Sequence, residues 1–186
     1  MTATIDSGKD AIDFLVAQHN RIRGYFDTVL SAQNATAREE AFFEMRRLLA
    51  VHETAEEQIV HPMARRRIAF GDRIVDERLE EENSAKKLLS EIEKLDVDSD
   101  EFVTKTKELQ KAVLEHAEHE ETNEFPELSK ELSDGELKRM RTMITAVEAM
   151  APTRPHPGVE SATANTLAGP FASMLDRARD ALSAHF

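Results

Sequence analysis

Two stretches of the chain, HETAEEQIVHP from position 52 and HAEHEETNEFP from position 116, repeat one arrangement of polar residues. In each, a histidine is followed four residues on by a glutamate (His52 and Glu56; His116 and Glu120) and ten residues on by a proline (Pro62 and Pro126). Four residues on an α-helix turn through roughly 400°, so imidazole and carboxylate lie one turn apart on the same face and can reach a common site. An imidazole binds one metal ion, whereas the two oxygens of a carboxylate can bridge a pair. Two such helices, with one further ligand each from two other helices, supply six ligands for a two-metal centre that keeps positions open for water, dioxygen or peroxide. Imidazole mixed with carboxylate suits iron, manganese or zinc, and the lack of sulfur ligands speaks against copper(I). The chain has no cysteine, which removes disulfides, thiolate nucleophiles and zinc-finger or iron–sulfur ligation.

The elements that must position these residues are helices, because apolar residues recur at steps of three and four and strict alternation over a strand's length is hard to find. The first helix covers about Asp10 to Ser31, with Ile12, Leu15, Ile22, Phe26 and Val29 on one stripe. The second opens on a capping box of Thr36 and Glu39, carries Phe42, Met45, Leu49, Ile59 and Met63, and is expected to break at Pro62, which cannot donate to Gln58. A third runs from near Asp72 to about Leu95 through Val75, Leu79, Leu89 and Ile92. The fourth follows DVDSDE, with Phe102, Leu109 and Val113 as its face. Short connections make neighbours antiparallel, so the expected fold is all-α, an up-down-up-down four-helix bundle over residues 1–132. Residues 133–186 are expected to add a helix capped by Ser133 and Glu136, a Pro-rich linker, and a terminal helix with Phe171, Met174, Leu175, Ala178 and Leu182 that docks on the bundle or on a second subunit.

The seams of these helices are not wholly apolar. The heptad series of the second passes through His52 and Glu56, that of the fourth through His116 and Glu120, that of the first through His19, and that of the third through Glu82. Burying so many polar groups costs several kcal/mol per unpaired charge, and Lys86 is the one basic residue on the seams, so bound cations are the expected remedy. Glu57 and Glu121 read as solvated face. His61, about 140° round an α-helix from Glu56, reads as a rim residue, and an auxiliary role is left open for it and for His119; His156 and His185 read as surface.

Composition narrows the partners. A formal net charge of −12 argues against nucleic acid and anionic membranes. No apolar run is long enough to span a bilayer and the N-terminus lacks the regions of a signal peptide, so a cytoplasmic location is expected. The Glu-x-x-His motif of ferritin-like bundles and the His-Glu-x-x-His zincin motif are both absent.

At His19 in LVAQHNRIRGYF, His52 and Glu56, and His116 and Glu120, the chain resembles the hemerythrin-like or HHE cation-binding proteins, which are non-haem di-iron four-helix bundles; the resemblance covers about residues 10 to 132, and the tail looks like that of actinobacterial members. It implies a metal set of His19, His52, Glu56, Glu82, His116 and Glu120 around two iron ions bridged by oxo or hydroxo groups. One departure stands out. The family usually has a histidine on its third helix where this chain has Glu82, with Glu81 and Asn83 as alternatives of register. The resemblance implies oxygen binding or sensing, and in some bacterial members catalase-like or ferroxidase activity. Dioxygen, hydrogen peroxide or nitric oxide is the expected ligand of a monomer or homodimer. Peroxide turnover is the favoured reading; the alternative is a non-enzymatic oxygen-, iron- or redox-responsive module acting through a partner.

Overall fold

Among the described residues, five helical rods form in the order the periodicity predicts, each started by an identifiable cap or tight turn. The computed structural model of the chain describes residues 9–151, so most of the Pro-rich linker, the terminal helix, His156 and His185 lie outside the described residues. Helix α1 (Ala11–Ser31) begins at Asp10, whose side chain accepts from the N–H groups of Ile12 and Asp13. Helix α2 (Ala35–Ala55) is capped by Asn34, which accepts from Ala37, and not by the expected Thr36 box; Asn34 is the stronger N-cap type and already occupies the extended conformation a cap needs. Helix α4 (Gly71–Ile92) follows a tight turn at Phe70, α5 (Asp100–His119) is capped by Ser99, and α7 (Asp134–Glu148) starts on the predicted Ser133–Glu136 capping box.

The second rod does not break at Pro62. It passes through a π turn at Glu56–Val60 and continues as α3 (His61–Arg67); the fourth rod does the same, through a π turn at Glu120–Glu124 into α6 (Phe125–Glu131). In each turn the N–H after it bonds five residues back, His61 to Glu56 and Phe125 to Glu120. Each π turn starts at the glutamate of the repeated motif and closes just before its proline. The proline thus sits in the first turn of the next helix segment, where its missing N–H costs least. The additional residue per turn also moves the inward face on by one position. Val60 and Ala64 are fully buried where simple heptad spacing points to Ile59 and Met63, which are only partly so.

Rods α1, α2–α3, α4 and α5–α6 make an antiparallel all-α four-helix bundle, and α7 packs against α1 and α2. Its apolar interior falls into two clusters. One is built on Phe14, Leu15, Val60, Val75, Phe125 and Leu128 together with Met140 and Ile144 of α7; the other is built on Ile22, Phe26, Met45, Leu49, Leu89, Leu109 and Val113. His19 lies between Leu15 and Ile22, Glu82 between Val75 and Leu89, and the two repeats start just after Leu49 and Val113. All four rods therefore interrupt their apolar stripe at the same level, and a buried polar layer separates the two clusters. Among the described residues no helix is long and apolar enough to cross a membrane.

Candidate metal centre

Nine-tenths or more buried, His19, His52, Glu56, Glu82, His116 and Glu120 all face this layer. Single ligand atoms of His19, His52, Glu56 and Glu120 lie within 4.8 Å of one another, as do those of Glu56, Glu82 and His116, so Glu56 belongs to both groups. His52 Nε2 is 3.2 Å and His19 Nε2 3.9 Å from Glu56 Oε1, while Glu120 Oε2 stands 3.3 Å from His19 Nε2 and 3.5 Å from His116 Nε2. Despite this crowding, the Nε2 atoms of all three histidines, both oxygens of Glu56 and Glu120, and Oε2 of Glu82 make no hydrogen bond. Buried polar atoms left unsatisfied cost free energy. Here they point at one another, which is the arrangement cations satisfy.

The other ring nitrogens explain why. His19 Nδ1 donates to Glu121 at 2.8 Å, His52 Nδ1 to Gln18 at 2.8 Å, and His116 Nδ1 to Glu81 at 3.0 Å. With Nδ1 engaged outward, Nε2 is the nitrogen aimed inward on all three rings and the one left free to bind when the ring is neutral, the usual support of a metal-binding histidine. Glu121, expected on the solvated face, is turned back onto His19 and Arg23. Glu81 receives His116 and the exposed His119 and pairs with Arg78. Of the three register alternatives on α4, Glu82 is the one brought into the cluster; Glu81 stands behind His116, and Asn83 is half-buried off the seam.

His61 is not a rim residue. The π turn rotates it inward until it is 2% exposed, with Nε2 2.6 Å from Glu82 and Nδ1 3.2 Å from Glu124. Phe125, its counterpart in the second repeat, stacks on His19 with ring centroids 5.8 Å apart. Glu124 is absent from the sequence-derived set, yet it is fully buried and forms a third group with His61 and Glu120. Its signal is its place four residues beyond Glu120, on the continuation of the His116–Glu120 series. Glu53 and Glu57 are also buried, beside Lys86, which contacts Glu57 and lies 3.7 Å from Glu82 Oε2.

Proton affinities are spread widely across this layer. Burial pushes His52 down to about 3, helped by His19. Burial, then Glu120 and Glu82, drives Glu56 well above the ordinary carboxyl range. For Glu82 and Glu120 burial is outweighed by imidazoles: His61 holds Glu82 down to about 2, and His116 and His19 hold Glu120 low. Against burial, Glu120 and Glu81 raise His116 to about 9. Lys86 stays charged against burial because Glu53, Glu82 and Glu57 surround it; one lysine cannot serve all three, so burial leaves Glu53 and Glu57 raised to about 8.

Residues 10–128 match the hemerythrin HHE cation binding domain. The chain belongs to this family. It is similar to an uncharacterized hemerythrin-like protein of Schizosaccharomyces pombe, 25% identical over 173 residues that make up 90% of this chain and 84% of the yeast protein. It is also similar to a DNA nickase of Nostoc sp., 24% identical over 74% of this chain but only 38% of that protein. In fold it resembles the crystal structure of a hemerythrin HHE cation binding domain-containing protein from Mycobacterium kansasii, with a TM-score of 0.67 at 18% identity over 75% of this chain and 85% of that one. As a hemerythrin HHE protein the chain is a cation-binding bundle, and the inward nitrogen and oxygen atoms fit such a cation.

Proposed function

We propose that His19, His52, Glu56, Glu82, His116 and Glu120 hold two non-haem iron ions, with Glu56 shared between them, and that the centre reacts with hydrogen peroxide in preference to carrying dioxygen. The observation that carries this reading is the set of inward, unbonded Nε2 and carboxylate atoms, each histidine oriented from behind by its own partner. Bound iron would supply a change of redox state and open coordination positions for dioxygen, peroxide or nitric oxide. The chain does the rest. Glu121, Gln18 and Glu81 keep the three rings from turning, and His61 holds one oxygen of Glu82 at 2.6 Å while Lys86 lies 3.7 Å from the other. Ile22, Leu49, Ala85 and Val113 wall a cavity of about 10 Å³ beside His19, His52 and His116, room for about one water-sized molecule.

Three carboxylates in the ligand set make a harder, more anionic shell than a histidine-rich one and favour iron(III) over iron(II). The resting protein is therefore diferric and a poor reversible oxygen carrier. Catalase-like conversion of peroxide to water and dioxygen requires no outside reductant and suits a closed, apolar-walled site. The test is to load the protein with iron anaerobically, add peroxide and follow oxygen release, with His52→Ala as control. Oxygen release well above that of His52→Ala is the expected result. A stable, reversibly formed oxygen adduct without peroxide consumption above the control would return the protein to the binding or sensing class.

A further inference from the structure

His52 differs from the other two inward histidines in what stands behind it. His19 and His116 face glutamates, and a carboxylate can only accept, so Nδ1 always carries a proton and Nε2 is the nitrogen freed in the neutral ring. Behind His52 stands Gln18, an amide that both donates and accepts. Alone, Gln18 could present its NH2 group to Nδ1 and leave the ring proton on Nε2, the wrong form for binding a metal. Its amide is not left alone. Gln18 Nε2 donates to Glu148 Oε1 at 2.7 Å, so its oxygen must face His52. Gln18 is 1% exposed, which leaves almost no water to compensate a reversed amide.

We infer that Glu148, at the end of α7 and outside the residues that match the family, is a positioning residue for the metal centre that sets the direction of the Glu148–Gln18–His52 relay. Glu148 accepts from Gln18, Gln18 accepts from His52 Nδ1, and His52 Nε2 is thereby kept free to bind. Helix α7 is held in place for this by Leu137, Met140 and Ile144, which are buried against the bundle. His52 thus depends on an element that the four-helix bundle does not itself contain.

The inference rests on the reading of His52 as a ligand, and two measurements on the full-length protein separate the two. The first is nitrogen-15 NMR of the His52 ring in chelator-treated protein, which reports which nitrogen bears the proton. The second is the rate at which a strong chelator removes iron from anaerobically loaded protein. Wild type is expected to show the Nδ1–H form, Glu148→Leu a mixture or the Nε2–H form, and both Glu148→Leu and Gln18→Leu should lose iron faster, by about ten-fold or more for Gln18→Leu. Because the two residues act in series, the double variant should match Gln18→Leu. Ile144→Ala loosens α7 without touching the relay; it should lower the melting temperature and leave both readouts at wild-type values. A wild-type tautomer and wild-type iron loss in Glu148→Leu, or equal effects from Ile144→Ala, would overturn the inference. If wild type takes up no iron, the proposed function fails and the tautomer measurement still decides on Glu148.

Discussion

Glu82 occupies a position on α4 where imidazole is the family habit, and it is clasped by His61 on one oxygen and approached by Lys86 on the other. A carboxylate so held has little freedom, which suits a ligand and also makes it sensitive to loss. Glu82→Ala is expected to lose most bound iron, and Glu82→His to recover much of it, because an imidazole on the same stripe still reaches the layer. Glu81→Ala should do less, weakening retention about ten-fold by releasing the outer nitrogen of His116. Metal content by mass spectrometry distinguishes these; full iron in Glu82→Ala with loss in Glu81→Ala would transfer the α4 ligand to Glu81. His19, His52, Glu56, Glu82, His116 and Glu120 were all legible as seam residues because ordinary helical spacing places them there. His61 was not, since its phase depends on a π turn that heptad spacing does not contain, whereas Glu124 carried a signal, its place four residues beyond Glu120, that the heptad series passes over. Gln18 and Glu148 were illegible for another reason: a hydrogen bond between residues 130 apart in sequence leaves no local pattern.

At the scale of elements, the two π turns are what let a proline-containing rod stay whole while turning His61 and Phe125 inward. Such turns concentrate at functional sites. Removing one residue from the first, by deleting Gln58, should leave the rod helical and α3, including His61, in register, yet lower iron occupancy because the backbone that sets Glu56 is rebuilt as an ordinary α turn. Circular dichroism and metal analysis on the same sample test this; unchanged iron in a helical deletion variant would show that the turn is dispensable. The join between α3 and α4 makes a second demand. A methyl group on Gly71 would fall 2.4 Å from the carbonyl oxygen of Ala64, so Gly71→Ala should cost about 2 kcal/mol or more, read as a lower denaturation midpoint with no change in iron per folded chain. Helix existence and order were readable from periodicity, and so was the Ser133 box. The cap at Asn34 was misplaced by two residues because Thr36 and Glu39 also satisfy the motif.

Across the whole molecule the buried charges must balance. Among the described residues six buried carboxylates, Glu53, Glu56, Glu57, Glu82, Glu120 and Glu124, share the layer with Lys86 and with His61, whose ring is clamped between two of them; Arg46 and Arg78 pair with Glu93 and Glu81 outside this set. Counting Lys86 and a protonated His61 as cations leaves four negative charges, the number two divalent ions cancel. Without metal, protons must do this work. Glu53 and Glu57 are raised to about 8 and His116 to about 9. Groups whose folded values are raised stabilise below their unfolded values and lose that contribution as pH rises through the folded ones. Chelator-treated protein should therefore lose stability between about pH 5 and pH 9, whereas metal affinity grows with pH as ligands shed protons. The gap in melting temperature between loaded and chelated protein should widen with pH; a gap that narrows would contradict this charge balance.

Iron stoichiometry decides whether the buried layer holds a pair of metal ions. Full-length protein loaded anaerobically with iron(II), freed of excess metal and weighed by native mass spectrometry should carry two irons per chain, and His52→Ala and His116→Ala should each lose most of both, because the two sites share Glu56 and the same layer. A single tightly held ion in the wild type, or iron content unchanged in both variants, would contradict a two-iron centre in this bundle.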